Sequence, residues 1–214
     1  LGYANTLPVT LEDMERHTAA VVRGASHALV AADMPFMTYQ ASVEQALLNC
    51  GRMLQRTGCA AVKIEGGAFR TPTIRALVEN GIPVLAHIGL TPQSIHILGT
   101  RVQGRSEEAA DQLVEDAKAV AEAGAFAVVV ETVPSLLGKR VTESVKIPVI
   151  GIGAGPYCDG QILVVNDMLG FSGNFQPKFV KRYARLDDEI STAAAAYRKE
   201  VLQGAYPAPE HEYE

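Results

Sequence analysis

Four short apolar segments of this sequence each end at an ionisable residue. They read ALVAAD up to Asp33, AAVKIE up to Glu65, IPVLAH up to His87 and FAVVVE up to Glu131. A charged side chain is costly to bury alone, and the carboxyl ends of parallel strands meet at one edge of an α/β fold. We therefore expect these side chains to gather at one shared, partly hydrated active site.

Lys63 and Glu65 stand two positions apart in the second of these segments. Side chains alternate along a strand, so both should point to the same face. The lysine could neutralise an anionic oxygen, while the glutamate orients a metal-bound water or takes a proton. The alternative is a strand-end salt bridge without a catalytic role.

The other three segment ends also allow a catalytic and a structural interpretation. Asp33, before Met-Pro-Phe, would suit Mg²⁺ together with a second carboxylate, or it could cap a turn. Burial would raise the pKa of Glu131 and make it a base near neutral pH, or it could be a structural carboxylate at a helix start. His87 could be a ligand, an acid–base group or an oxyanion donor, or a satisfied core histidine.

A fifth apolar segment, IPVIGIGAG (147–155), ends in glycines. Bare backbone N–H groups could bind an anion there, or the glycines could form a tight turn from strand to loop. The segment lacks G-x-G-x-x-G spacing, which disfavours dinucleotide binding.

The segments fit an alternation of strands and helices that predicts a parallel sheet. Predicted helices cover 11–24, 42–57, 72–80, 106–123, 134–144, 177–184 and 187–203, and predicted strands end at 33 or cover 60–65, 82–88, 126–131 and 147–152. A loop is expected at 91–105, and 161–170 could hold a sixth strand or a short turn. The alternatives are an open doubly wound sheet and a (βα)8 barrel, and chemistry at many separate strand ends favours the barrel.

Composition narrows the classes of protein that remain. The chain has 214 residues, which is enough for one α/β domain with a well-packed core. Its net charge is −5, and it has no block of basic residues of the kind that binds nucleic acid. No apolar stretch approaches the roughly 20 residues of a membrane span. The three cysteines form no C-x-x-C pair, so we expect free thiols and a cytoplasmic protein.

Several longer motifs occur in order along the whole chain. They are TLPVT (6–10), HTAAVVRGA (17–25), ADMPFMTY (32–39), VKIEGG (62–67), HIGLTPQS (87–94), VQGR (102–105), IPVIGIGAGPYCDGQILV (147–164) and the YP…EH ending (206–211). In these motifs the chain closely resembles the 3-methyl-2-oxobutanoate hydroxymethyltransferase family, also called ketopantoate hydroxymethyltransferases.

The resemblance implies a (βα)8 TIM barrel that transfers a hydroxymethyl group from 5,10-methylenetetrahydrofolate to 3-methyl-2-oxobutanoate, with Mg²⁺, in pantothenate and coenzyme A synthesis. It implies that Asp33 binds metal and substrate and that Glu65 lies in the metal's shell. It further implies that Lys63 and His87 contact substrate and that Glu131 is the catalytic base. A homo-oligomer is implied as well, with a decamer as one size to expect.

One motif of the resembled family, G-D-S, does not occur in this sequence. Its Asp would bind the metal and its Ser the substrate. It should stand before Leu1, together with the first two barrel strands. We therefore expect 1–214 to form a single barrel domain that lacks its N-terminal part and to belong to a longer polypeptide.

Two other functions fit parts of the pattern. A Mg²⁺-dependent lyase acting on a 2-oxo or hydroxy acid would use similar carboxylates but no folate. A noncatalytic subunit would assemble without binding Mg²⁺ or the oxo acid, although the complete set of ionisable strand ends argues against loss of the site.

Overall fold

The computed structural model describes residues 1–171, 173 and 176–213, in which strands and helices alternate. Within these residues the strands are β1 Ala31–Asp33, β2 Ala61–Glu65, β3 Val84–Gly89, β4 Ala127–Glu131, β5 Val149–Ile152 and β6 Gly160–Gln161. The α-helices are α1 Leu11–Gly24, α2 Val43–Thr57, α3 Thr71–Glu79, α4 Ile95–Leu98, α5 Glu107–Glu122, α6 Ser135–Ser144, α7 Val165–Leu169 and α8 Leu186–Gln203.

The strands form one parallel sheet in the order β1-β2-β3-β4-β5-β6. This confirms the predicted α/β class. Each strand pairs with its neighbour along the chain, without the reversal of strand order that defines an open doubly wound sheet. Sequential parallel order is the order found in a barrel, while the count of eight strands and the two absent ones stay predictions.

The central strands of the sheet are buried on both faces, which explains their continuous apolar segments. The first four residues of β4 are all buried, and so are four of the five residues of β2. Helices supply the covering layer: α2 buries Ala46, Cys50 and Met53 at intervals of four and three, which is the spacing of one helix face.

Two helix ends are capped by residues suited to the position. Thr10 caps α1, its hydroxyl accepting from the Asp13 N–H at 3.1 Å while the Asp13 carboxylate accepts from the Thr10 N–H at 3.1 Å. Gly58 ends α2 with φ +74°, a left-handed conformation that glycine adopts at little cost.

The predicted helix over 177–184 is wrong. Backbone groups of this segment are engaged elsewhere: the Val180 N–H donates to the Pro177 carbonyl at 2.9 Å, and the Tyr183 N–H to the Met168 carbonyl at 2.8 Å. The Gln176 side chain donates to the Val180 carbonyl at 2.7 Å. These turn and tertiary bonds replace the i to i−4 bonds that a helix would require.

Two other segments refine the sequence-based expectations. Positions 160–170 hold the two-residue strand β6 and the short helix α7, where the sequence left strand and turn open. The expected loop at 91–105 contains a 3₁₀ turn at Pro92–Ser94 followed by α4.

The described chain divides into two compact units, Leu1–Ile162 and Leu163–Glu214. The first contains the whole sheet. In the second, α8 buries no residue, and Tyr197 packs edge-on against Tyr206 with ring centroids 5.5 Å apart. The expectation of a single domain stays a prediction. Among the described residues no helix is long and apolar enough to cross a membrane.

Candidate active site

The strand register brings the predicted site residues next to one another. Asp33 at the end of β1 pairs with Lys63 of β2, and Glu65 at the end of β2 pairs with His87 of β3. Glu131 ends β4 opposite Gly89. The five ionisable residues therefore occupy the carboxyl ends of four successive parallel strands, where α/β enzymes carry their active sites.

Their side chains form an unbroken series of contacts. Lys63 Nζ lies 2.6 Å from Asp33 Oδ1 and 4.0 Å from Glu65 Oε1. His87 Nδ1 lies 3.9 Å from Glu65 Oε1, and His87 Nε2 lies 3.2 Å from Glu131 Oε2. The shared site expected from the sequence is thus present as a cluster of contacting side chains, while the catalytic role of each residue stays a prediction.

Burial sets the proton affinities of the two glutamates. Loss of solvent raises the pKa of Glu131 to about 7, with Lys63 opposing and Asp33 adding to the rise. Loss of solvent likewise raises the pKa of Glu65 to about 7, against the opposing effect of Lys63. Both carboxyls can therefore exchange protons near neutral pH, as a general base must.

His87 is neutral in this setting. Its side chain is 2% exposed, and burial, reinforced by the Lys63 ammonium, lowers its pKa to about 3. Neither ring nitrogen makes a well-aligned hydrogen bond within the described part of the chain. A buried imidazole normally has a partner. The groups nearest to its two nitrogens are Glu131 Oε2, 3.2 Å from Nε2, and Glu65 Oε1, 3.9 Å from Nδ1.

Two residues that sequence reasoning did not single out hold Glu65 in place. The Gln93 backbone N–H donates to Glu65 Oε2 at 3.0 Å, and the Glu65 N–H donates to the Tyr39 hydroxyl at 3.0 Å. The Tyr39 hydroxyl donates to Gln93 Oε1 at 2.8 Å. The Gln93 side chain also donates to the Met34 carbonyl at 2.7 Å, so it ties Glu65 to the end of β1.

The types and spacing of Tyr39 and Gln93 carried no signal of this role. They stand in the quoted motifs ADMPFMTY and HIGLTPQS, and only those motifs could have drawn attention to them. A tyrosine and a glutamine in loops otherwise suggest no particular chemistry.

The backbone around Glu131 is tightly constrained. Gly89 has φ +89°, and a Cβ atom there would lie 2.4 Å from the Glu131 carbonyl oxygen, so only glycine fits. Thr132 follows with φ +51°, an unfavourable conformation for a β-branched residue. Its N–H donates to Ile152 and its carbonyl accepts from the Gln103 N–H, both at 2.9 Å.

The glycine-rich segment after β5 packs closely against the start of α6. A Cβ on Gly138 would lie 2.3 Å from the Ala154 carbonyl oxygen, and one on Gly155 would lie 2.3 Å from Ser135 Cβ. This close backbone approach is the tight-turn alternative considered for the sequence, and it accounts for glycine at 155 without a ligand.

The site offers hard oxygen ligands for a divalent cation. The carboxylates of Asp33 and Glu65 both lie within 4.0 Å of the Lys63 ammonium, while that of Glu131 contacts His87. Among the described residues no group of three or more His, Cys, Asp or Glu side chains forms a ready metal site. Mg²⁺ needs only one or two protein carboxylates besides water and substrate oxygens, so Asp33 and Glu65 fit it.

A parallel sheet with three carboxylates, a lysine and a histidine clustered at its carboxyl edge is the arrangement that α/β enzymes use for their active sites. Comparison with known proteins makes this more specific. The model of the ketopantoate hydroxymethyltransferase family matches residues 1–209. The chain therefore belongs to the ketopantoate hydroxymethyltransferase family.

Curated relatives agree with this assignment. The chain is 52% identical over 212 residues to the 3-methyl-2-oxobutanoate hydroxymethyltransferase of Syntrophomonas wolfei, covering 99% of this chain and 77% of that protein. It is 55% identical over 213 residues to the enzyme of the same name from Trichlorobacter lovleyi, covering 99% and 80%.

Among solved structures, the chain resembles a Burkholderia cenocepacia protein provisionally described as a phosphonomutase. The TM-score is 0.57 at 17% identity, over 89% of this chain and 79% of that one. At this identity the similarity concerns the fold alone.

Proposed function

We propose that this chain transfers a hydroxymethyl group to 3-methyl-2-oxobutanoate to give ketopantoate, in the biosynthesis of pantothenate. The names of relatives more than 50% identical to it support this reaction. The observation that carries it is the partly buried Glu131 carboxyl beside His87, whose pKa of about 7 suits a base for a weakly acidic C–H bond. The one-carbon donor is 5,10-methylenetetrahydrofolate.

The reaction divides into a proton transfer and a carbon–carbon bond formation. Glu131 takes the proton from C3 of the oxo acid, and the resulting enolate carbon bonds to the methylene carbon of the donor as one of that carbon's two C–N bonds breaks. One water replaces the second nitrogen and supplies the hydroxyl oxygen. Tetrahydrofolate leaves with its two nitrogens protonated, one by the proton from C3 and one by the proton from water. In the overall reaction, the oxo acid, 5,10-methylenetetrahydrofolate and water give ketopantoate and tetrahydrofolate, so atoms and charge balance.

Lys63 and His87 are suited to bind the oxygens of the oxo acid. The Lys63 ammonium lies among the carboxylates at the mouth of the site, where it offsets the negative charge of the substrate. The His87 ring is neutral, and its Nε2 lies 3.2 Å from Glu131 Oε2 at the place where the substrate would bind. Its N–H group could donate a hydrogen bond to a substrate oxygen, and because the ring is neutral it would not protonate that oxygen.

Asp33 and Glu65 would hold Mg²⁺. When bound there, the ion polarises the keto group and lowers the cost of negative charge on its oxygen. Gln93 and Tyr39 keep the Glu65 carboxylate oriented for this task through the bonds described above.

The direct test supplies the purified full-length protein with oxo acid, 5,10-methylenetetrahydrofolate and Mg²⁺. The product is identified by mass spectrometry as the hydroxymethylated acid. We expect product only when both the folate and a divalent cation are present, and loss of product when EDTA removes the cation.

The other two candidate functions predict different outcomes. A lyase would consume a 2-oxo or hydroxy acid without folate, and that result would contradict the proposal. A noncatalytic subunit would bind neither Mg²⁺ nor the oxo acid by calorimetry and would assemble nonetheless. We further propose a homo-oligomer, with a decamer as one size to expect, to be tested by light scattering.

A further inference from the structure

A cleft of about 540 Å³ lies in the loop between α4 and α5. Its lining is Leu98, Thr100, Arg101, Val102, Gln103, Gly104, Arg105, Ser106 and Ala109. We call it the arginine cleft, because Arg101 and Arg105 are its only charged residues. The size falls in the range of small-molecule sites. It contains the VQGR motif (102–105), to which the mechanism above gives no role.

The arginine cleft adjoins the candidate active site. The Gln103 N–H donates to the Thr132 carbonyl at 2.9 Å, and Thr132 directly follows Glu131. Gly104, with φ +66°, lies so close to α6 that a Cβ atom would be 2.2 Å from Leu137 Cδ2. The cleft is therefore attached to the strand end that carries the base, on a loop packed against the neighbouring helices.

The charge of the cleft is available to a ligand. Within the described residues neither arginine makes an ion pair, and the one hydrogen bond from a guanidinium is the long contact of Arg101 Nε to the Leu98 carbonyl, 3.4 Å. The adjacent Glu107 is already paired with Arg140 at 2.9 Å. Two unpaired guanidiniums beside the active site of an acidic protein form a local site for anions.

We propose that the arginine cleft binds the carboxylates of the glutamate tail of the folate co-substrate. Guanidinium groups pair with carboxylates through two parallel N–H bonds, and the two arginines match the two carboxylates of one glutamate. The carboxylate of the oxo acid is accounted for at Lys63, so the folate tail is the remaining carboxylate source in the reaction. This inference rests on the proposed function, since it assigns the folate a place beside Glu131.

The test compares two probes on the intact chain by calorimetry: 5-formyltetrahydrofolate and 5-formyltetrahydropteroate, which lacks the glutamate. We expect the folate to bind at least about tenfold more tightly than the pteroate. Arg101→Gln and Arg105→Gln should each weaken folate binding about tenfold and leave pteroate binding unchanged. Affinity for the oxo acid should not change in either variant.

Arg75→Gln is the matched control, because Arg75 is an exposed arginine of α3 outside the cleft. It should leave every affinity unchanged. A general anion site would instead show inorganic phosphate competing with folate at millimolar concentration and no preference for the glutamate, which would overturn the assignment.

Failure of this inference is distinguishable from failure of the proposed function. If the unaltered chain makes ketopantoate from folate while the arginine variants bind both probes normally, only the cleft assignment is wrong. If the unaltered chain uses no folate at all, the proposed function is wrong and the cleft assignment falls with it.

Discussion

His87 Nε2 lies 3.2 Å from Glu131 Oε2, yet the two residues do not form a charged pair. Burial lowers the pKa of His87 to about 3, so the ring carries no positive charge to neutralise the glutamate. Glu131 consequently keeps a pKa near 7 instead of being held ionised. A neutral imidazole beside an unneutralised carboxylate gives the strand edge one hydrogen-bond donor and one base.

Glu131→Gln should abolish exchange of the C3 proton of 3-methyl-2-oxobutanoate with deuterium. The amide keeps the size of the side chain but cannot accept the proton, so the exchange rate should fall by a factor of about 10²–10⁴. Exchange is followed by NMR in heavy water with Mg²⁺ and without folate.

Binding of the oxo acid by the Glu131→Gln variant serves as the control for folding. Calorimetry should give an affinity within about threefold of the unaltered chain, since Lys63 and His87 remain. Exchange at the normal rate in this variant would remove Glu131 from the role of base.

The same exchange reaction should depend on pH in a defined direction. Glu131 acts only when ionised, and its pKa lies near 7, so the rate should rise about tenfold per pH unit below 7 and level off above it. A rate that is flat between pH 5 and 8, or that falls as pH rises, would contradict this assignment.

Glu65 should make the stability of the fold depend on pH. Its pKa rises from 4.5 to about 7 on folding, so the folded state binds the proton more tightly than the unfolded chain does. The stabilisation is complete below pH 4.5 and is lost as pH rises through about 7.

Glu65→Gln should remove this dependence. The free energy of unfolding of the variant, measured with urea, should improve relative to the unaltered chain as pH rises from 4.5 to 7. Glu122→Gln, at an exposed position of α5, is the control and should show a constant difference. A constant difference for Glu65→Gln as well would mean that its proton affinity is unaffected by folding.

The strand ends of the site were predictable because local sequence determines them. A fully buried strand needs a continuous apolar segment, and the first ionisable residue after such a segment marks where the strand reaches solvent. Asp33, Lys63 and Glu131 are found this way, while Glu65 follows two positions after Lys63 and stays buried at the end of β2. Sequential parallel pairing then places these residues side by side.

The contacts that orient these residues were not predictable from local sequence. Tyr39, Glu65 and Gln93 meet only when the loop after β1, the end of β2 and the 3₁₀ turn after β3 come together. The failed helix at 177–184 is a related case, since the Tyr183 N–H donates to the distant Met168 carbonyl instead of to a carbonyl within the segment. Such pairings depend on tertiary structure, which apolar periodicity does not encode.

Gln93→Leu should weaken binding of the divalent cation. Leucine cannot bond the Tyr39 hydroxyl or the Met34 carbonyl, so the loop that donates to Glu65 loses its attachment. Loss of such a support typically costs about 10–100-fold in metal affinity. Mn²⁺, used in place of Mg²⁺, allows the affinity to be measured by electron paramagnetic resonance without substrate.

Gln45→Leu is the matched control for this variant. Gln45 also donates to a backbone carbonyl, that of Met37 at 3.0 Å, but it makes no contact with Glu65. It should leave Mn²⁺ affinity unchanged, whereas an equal loss in both variants would indicate general destabilisation instead of positioning.

Gly89→Ala should destabilise the fold and disturb the base together. The alanine would have to adopt φ +89°, and its Cβ would lie 2.4 Å from the Glu131 carbonyl oxygen. That oxygen is a backbone atom, so it cannot move away as a flexible side chain could. We expect the free energy of unfolding to fall by roughly 2–4 kcal/mol.

Gly81→Ala separates the backbone strain from the steric clash, because Gly81 has φ +79° with no atom within 4 Å of the added Cβ. Gly81→Ala should lower the free energy of unfolding only by the cost of placing alanine in a left-handed backbone conformation, about 1–2 kcal/mol. Urea unfolding measures both losses, and equal losses would show that the approach of Gly89 to Glu131 contributes nothing. A further loss of proton exchange in Gly89→Ala alone would show that this glycine sets the position of the base.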